Sequence, residues 1–246
     1  MAIIDHIETS GQLLFRWRGY LPLIIVFLAM LAVGIGHSTA GASRSENSWE
    51  LACLAVSAFG LAIRVVAVGH APAGTSGRNA RAQRALALNT TGIYSLVRHP
   101  LYLGNFFLML GVVLFARSLW LAVGYVLAFW LYYERIMAAE ESFLRRTFGA
   151  AFDAWSAAVP AFVPRLSGWI PPALAFSAKN VLRREYNGFF AVPVSMFLIN
   201  LVSNAAERGR WQPDPRWSYI LAGSACIWIV LRLLKRHTSL LRVEGR

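Results

Sequence analysis

The chain has 246 residues, of which 57% are hydrophobic and only 15% charged, with a mean hydropathy of +0.50. A water-soluble domain usually carries about a quarter of its residues as charges, so this composition excludes one and describes a membrane protein. The formal net charge of +12 falls between apolar runs rather than along one soluble face, which favours contact with anionic lipid head groups and argues against nucleic acid.

A bilayer-spanning helix needs about 20 mostly apolar residues. Six runs qualify or nearly do: about 20–36, 49–70, 101–116, 119–138, 188–206 and 217–234. The first, behind Arg16 and Arg18 and ending in His37-Ser38-Thr39-Ala40, partly imitates a secretory signal. Its leader carries Asp5 and Glu8, which is wrong for that role, so an uncleaved first span is expected. In the second run, Arg64 lies late in the span and either faces a cavity or snorkels to the interface. The third run is short, but Arg117-Ser118 makes it one arm of a tight hairpin with the fourth.

Segment 171–187 mixes apolar residues with Lys179, Arg183 and Arg184 at helical spacing and is expected to lie along the membrane interface. Cys53 and Cys226 both sit in apolar runs and read as free, buried thiols. No cysteine-histidine spacing resembles a metal site, so none is expected. None of the six runs shows strand alternation. The expected fold is all-α: a polytopic single membrane domain over residues 1–246, with a motif-bearing core at about 50–165 and a further helical pair at about 188–234.

Orientation follows from arginine and lysine placement. Eighteen fall on one side of the six runs and five (Arg44, Arg117, Arg208, Arg210 and Arg216) on the other, with Arg64 alone inside a span. Both termini and the 71–99 and 139–187 loops are therefore expected in the cytoplasm.

Chemistry concentrates at the hairpin base. Pro100 suits the first turn of the third helix, and its ring pushes His99 towards extended geometry. Arg98 and His99 thus stand just outside a helix N-terminus, with Tyr94 before them and Tyr102 and Gly104 in the turns that follow. From Arg98 to the hairpin tip is 20 residues and from the tip to Glu140 is 22. At about 1.5 Å per residue both arms return to the same depth, which brings Glu140 and Glu141 to Arg98 and His99. Taken singly, Arg98, Tyr94 and Tyr102 suit interfacial anchors, Gly104 suits helix packing, and Glu140-Glu141 suits a solvated helix end paired with Arg145 or Arg146. Their convergence favours a functional site.

The pattern Gly92-x-Tyr94-x-x-x-Arg98-His99-Pro100-x-Tyr102-x-Gly104, an apolar hairpin, Glu140-Glu141-x-x-Leu144 and Phe148-Gly149-x-x-Phe152-x-x-Trp155 resembles the isoprenylcysteine carboxyl methyltransferase and phospholipid methyltransferase superfamily over about residues 50–165. The stretches Gly74-Thr75-Ser76-Gly77-Arg78-Asn79, Leu88-Asn89-Thr90-Thr91-Gly92 and Leu103-Gly104-Asn105 are similar to a bacterial branch associated with lipid A 1-phosphate methylation. The resemblance implies a membrane O-methyltransferase of the bacterial inner membrane, with S-adenosylmethionine as donor in a cytoplasmic pocket. By position, Tyr94, His99, Leu101, Tyr102 and Gly104 would line that cofactor, and Glu140 or Glu141 would hold its ribose or amino group. Arg98 would hold its carboxylate or orient the acceptor, and Arg98, His99 and Glu141 would be the catalytic set. The implied acceptor is a lipid phosphate, with a prenylcysteine-like carboxylate as the alternative. Arg78, Arg81, Arg84, Arg183 and Arg184 would guide such an anion, or express only the positive-inside bias. A sterol-reductase-like NADPH enzyme shares an Arg-His-x-x-Tyr-x-Gly motif but is typically longer. A non-enzymatic membrane protein would need charges along its spans, where only Arg64 qualifies. The two later spans carry no matched motif and would shape a lipid-access groove.

Overall fold

Helix is the only regular secondary structure among the described residues, which in this computed structural model are 2–35, 46–72, 74–75 and 85–245. A helix satisfies its backbone groups within its own segment, as a bilayer demands. The helices are α1 (Ala2–Trp17), α2 (Leu21–Ile35), α3 (Glu46–Gly69), α4 (Pro100–Phe115), α5 (Leu119–Phe148), α6 (Ala150–Ala158), α7 (Ala178–Arg208) and α8 (Pro215–His237), with a short 3-10 turn at Ile93–Ser95.

By length and apolarity α3, α7 and α8 can cross a membrane, and α1–α2, bent by 70°, makes a fourth if taken as one broken span. The protein is an integral membrane protein, but these criteria do not reach the expected six spans. The reason is length: α2 has 15 residues and α4 has 16, about 22–24 Å against a hydrocarbon core of about 30 Å. Helix α5 is long enough, but Glu134 and Arg135 interrupt its apolar stretch.

Two other expectations need correction. Segment 171–187 is not a separate interfacial helix. Residues 178–187 form the first turns of α7, which runs unbroken past Pro193 and buries Asn180, Val181, Glu185 and Tyr186. Ser177 caps it by accepting from Asn180 N at 3.3 Å, and Asn180 Nδ2 donates to Val68 O at 2.9 Å, so its start is tied to the end of α3. Of the two free cysteines, Cys53 is buried but Cys226 is exposed on α8, because that helix packs mainly on α7 and turns its other faces outward. Arg44, Arg78, Arg81 and Arg84 lie outside the described residues.

Helices α3 and α4 make the closest pairing in the molecule. Gly60 and Gly104 face one another across it. A Cβ on Gly104 would stand 2.5 Å from Arg64 Cγ and 2.8 Å from Gly60 O, so only glycine permits this approach. The α4–α5 turn forms at the expected place: Arg117 takes φ 52°, and Ser118 caps α5 by accepting from Leu121 N at 3.3 Å. The core between α4, α5 and α7 is aromatic and aliphatic, with Phe129 stacked on Tyr133 at 4.1 Å and Met196 and Ile199 fully enclosed. Helix α1 lies on α5, where Tyr132 Oη donates to Leu14 O at 2.7 Å.

Candidate functional site

The α4–α5 hairpin brings its two base segments into contact. Arg98 Nε donates to Glu141 Oε1 at 2.9 Å, and His99 Nε2 stands 3.0 Å from the same oxygen. His99 Nδ1 lies 3.6 Å from Glu140 Oε2, in ion-pair range but beyond a hydrogen bond. The convergence expected from helix rise is therefore present, and Arg145 and Arg146 do not compete for it. Arg145 pairs with Asp153 at 2.8 Å, and Arg146 donates to Ser142 Oγ at 3.0 Å.

Backbone bonds from a later segment fix the Arg98–His99 step. Arg98 N donates to Pro160 O at 2.9 Å, His99 N to Ala161 O at 3.1 Å, and Arg165 N to Leu96 O at 3.0 Å. Arg98 Nη1 donates to Ser156 O at 2.6 Å and Val159 O at 2.9 Å, so most of its donors serve the fold. Trp155 Nε1 donates to Tyr94 O at 3.1 Å, and Gly92 bridges Ile170. The chain after α5 is thus a strap across the 92–99 loop. The break that lets it turn back is Gly149, whose φ of 53° suits glycine.

A cavity of about 320 Å³ opens beside this cluster, within the range of small-ligand sites. Tyr94, Arg98, His99, Leu101, Tyr102 and Glu140 all line it. Two expected site residues do not. Glu141 stands behind Arg98 and His99, holding both, and Gly104 makes room for the Arg64 side chain. Arg64 itself lines the cavity rather than snorkelling, paired to Glu185 of α7 at 2.8 and 3.0 Å. Glu185, Arg18 and Tyr133 are lining residues that sequence reasoning did not place, and Arg184, expected to guide an anion, lines the cavity together with Asn105. The available signal for Glu185 was a single acid in a basic stretch, matched by the single basic residue inside a span.

Burial works against a charged His99, but Glu140 and Glu141 outweigh it and raise its pKa above the usual 6.5. Burial likewise opposes charge on Glu140, yet His99, the Tyr102 hydroxyl and Arg18 bring its pKa below 4.5. For Glu141 the opposing influences on burial are His99 and Arg98, again with a lowered pKa. His99 therefore stands between two carboxylates that favour its charged form. One atom is left over: Glu140 Oε2 is enclosed and has no hydrogen-bond partner among the described residues. The Glu140 side chain as a whole is 32% exposed on the cavity wall, where a carboxylate suits a ligand's ammonium or hydroxyl groups. Tyr102, stacked on His99 at 5.5 Å, adds an aromatic wall for an adenine or a sulfonium. The residues present thus fit S-adenosylmethionine, a zwitterion with a ribose diol and a sulfonium.

A family model described as phospholipid methyltransferase matches residues 48–151. The chain is 34% identical over 152 residues to the nickel-cobalt-cadmium resistance protein NccN of Alcaligenes xylosoxydans xylosoxydans, covering 61% of this chain and 64% of that one. It is 31% identical over 152 residues to the cobalt-zinc-cadmium resistance protein CzcN of Cupriavidus metallidurans, covering 61% and 63%. The chain thus spans just under two thirds of the length of these two relatives. Over 82 residues it is 38% identical to the protein-S-isoprenylcysteine O-methyltransferase of Xenopus laevis, 33% of this chain and 28% of that one. No solved structure matches. The segment that holds the hairpin and its two glutamates is thus similar to phospholipid methyltransferases, and part of the chain to an isoprenylcysteine O-methyltransferase.

Proposed function

We propose that this protein is an S-adenosylmethionine-dependent O-methyltransferase of a membrane lipid, with a lipid phosphate such as lipid A 1-phosphate as the favoured acceptor. The site and both termini face the cytoplasm of a bacterial inner membrane in this reading. The observation that carries the donor assignment is Glu140, an acidic side chain 32% exposed on the cavity wall beside His99 and Tyr102.

When bound, S-adenosylmethionine supplies an electrophilic methyl group on a positively charged sulfur. Glu140 binds its ammonium or ribose hydroxyls, and Tyr102 and Tyr94 wall the ring system or the sulfonium. His99 is not a general base here. Both its ring nitrogens are engaged by carboxylates, at 3.6 and 3.0 Å, and these raise its pKa. It positions Glu140, while Glu141 and the strap position Arg98. No base is required, because a phosphate or carboxylate acceptor is already ionised at neutral pH. What the residues supply is alignment of the two reactants and exclusion of water. Arg18 and Arg184 on the cavity wall give the acceptor's negative charge a cationic approach. A prenylcysteine-like carboxylate is the second reading, favoured by the likeness to isoprenylcysteine O-methyltransferases.

The test is to incubate the full chain in membranes with methyl-labelled S-adenosylmethionine and total bacterial lipid, then identify labelled species by mass spectrometry. Label on a phosphate-bearing lipid is expected. Label on protein, or on a carboxylate, overturns the acceptor, and no transfer with no S-adenosylhomocysteine binding overturns the donor assignment.

A further inference from the structure

We infer that the Arg64–Glu185 ion pair is a positioning device of the donor site, which makes α7 part of that site although α7 lies outside the family-matched segment; the inference rests on the donor reading above. Arg64 projects from α3 into the α4–α7 interface, its side chain 18% exposed and that of Glu185 only 3%. Four of its five N–H donors are used. Nε and Nη2 donate to the two Glu185 oxygens at 2.8 and 3.0 Å, and Nη1 donates to Asn105 Oδ1 at 2.5 Å and reaches Leu101 O at 3.5 Å. Both α4 partners lie within the first two turns after His99. Gly104 sits between them, and its missing side chain is what admits the Arg64 stem.

The chain of contacts continues into the cavity. Asn105 Nδ2 donates to Tyr133 Oη at 3.3 Å, the Tyr133 ring packs on Tyr102 at 5.0 Å, and Tyr102 stacks on His99. Elements α7, α3, α4 and α5 are linked in that order, and every residue named in the chain borders one cavity. Stability alone is a poor account of these charges. A buried ion pair is often no more stabilising than apolar side chains of the same volume, whereas a guanidinium holding three partners fixes their relative placement. Glu185 orients Arg64, Arg64 orients the first turns of α4, and those turns carry Tyr102 against His99.

The experiment compares the full wild-type chain with Arg64→Met, Glu185→Met, the double variant and Asn105→Ala in phosphatidylcholine nanodiscs. Thermal unfolding reports stability and titration calorimetry reports S-adenosylhomocysteine affinity. Each single methionine leaves one buried charge without its partner and is expected to lower both. The double variant is expected to regain most of the unfolding temperature while its affinity stays about tenfold weaker. Asn105→Ala cuts the link to Tyr133 with the ion pair intact, and is expected to weaken binding at a near wild-type unfolding temperature. That variant keeps the test decisive should the double variant not fold. Wild-type affinity in the double variant or in Asn105→Ala overturns the positioning role alone. No binding by the wild-type chain overturns the donor reading, and this inference with it.

Discussion

Glu140 and Glu141 are adjacent and chemically identical, yet neutralising them should have opposite consequences. Glu141 Oε1 receives Arg98 Nε at 2.9 Å and His99 Nε2 at 3.0 Å, with the Arg98 and Glu141 side chains 15% and 20% exposed. Hydrogen bonds to charged groups contribute about 1.5–3 kcal/mol each. Glutamine keeps one acceptor oxygen but removes the charge that balances both donors, so Glu141→Gln should lower folding stability by about 2–3 kcal/mol. Glu140 Oε2 has no hydrogen-bond partner among the described residues, and His99 Nδ1 stands 3.6 Å away. Neutralising it weakens one ion pair, in keeping with its lowered pKa, but breaks no hydrogen bond to Oε2, so stability should fall by less than about 1 kcal/mol. Donor affinity should nevertheless fall about tenfold to a hundredfold, at roughly 1.4 kcal/mol per factor of ten. The assay is denaturant unfolding in nanodiscs alongside S-adenosylhomocysteine calorimetry on the same preparations. Equal stability loss in the two variants, or wild-type affinity in Glu140→Gln, refutes the division of labour argued here.

The pH dependence of stability should show two limbs. The raised pKa of His99 gives a contribution that is complete below 6.5 and lost as pH rises through the raised value, while the lowered pKa values of Glu140 and Glu141 give contributions present above 4.5 and lost as pH falls through theirs. Unfolding temperature should therefore plateau between the two, and His99→Asn should flatten the alkaline limb; an unchanged limb in that variant counts against the imidazolium. Gly104→Ala should cost about 1–3 kcal/mol by overpacking, since the new Cβ would meet Arg64 Cγ at 2.5 Å and the rigid Gly60 carbonyl at 2.8 Å; a neutral unfolding measurement refutes the close approach. A lipid-soluble maleimide should label Cys226 and spare Cys53 in the folded protein, and mass spectrometry showing the reverse would mean α8 packs on a different face.

What was legible in the sequence was what obeys local rules. Pro100 marks the start of α4, Arg117-Ser118 marks the turn, and two arms of nearly equal length must return to one depth, so the Arg98–His99 and Glu140–Glu141 contacts followed from helix rise alone. The strap was not legible, because its bonds from Arg98 N and His99 N run to backbone carbonyls of Pro160 and Ala161, which any residue offers. Nor was the start of α7. Residues 178–187 carry basic and apolar side chains in the proportion of an interfacial helix, and only a partner 121 residues away explains why Glu185 is buried instead. The expected role of Gly104 at a ligand gave way to a neighbouring side chain for a similar reason: a glycine announces close approach without naming what approaches.

The site's charges are arranged in couples whose members come from different elements. Arg98 meets Glu141 across 43 residues, His99 lies between Glu140 and Glu141, and Arg64 meets Glu185 across 121. A lone charge at the edge of a bilayer is expensive, and a couple made within one helix would be cheaper to assemble. Couples made between helices have a different consequence: none can form until α3, α4, α5 and α7 have packed, so cavity and fold are completed together. Within that closed arrangement the guanidinium and imidazolium groups of Arg64, Arg98 and His99 already have carboxylates, whereas Glu140 Oε2 has no hydrogen bond among the described residues. A ligand that brings a hydroxyl or a positive charge to the exposed part of the Glu140 side chain gains an interaction without breaking one of these couples. For this reason binding specificity should reside at Glu140 rather than at the more conspicuous arginine and histidine beside it.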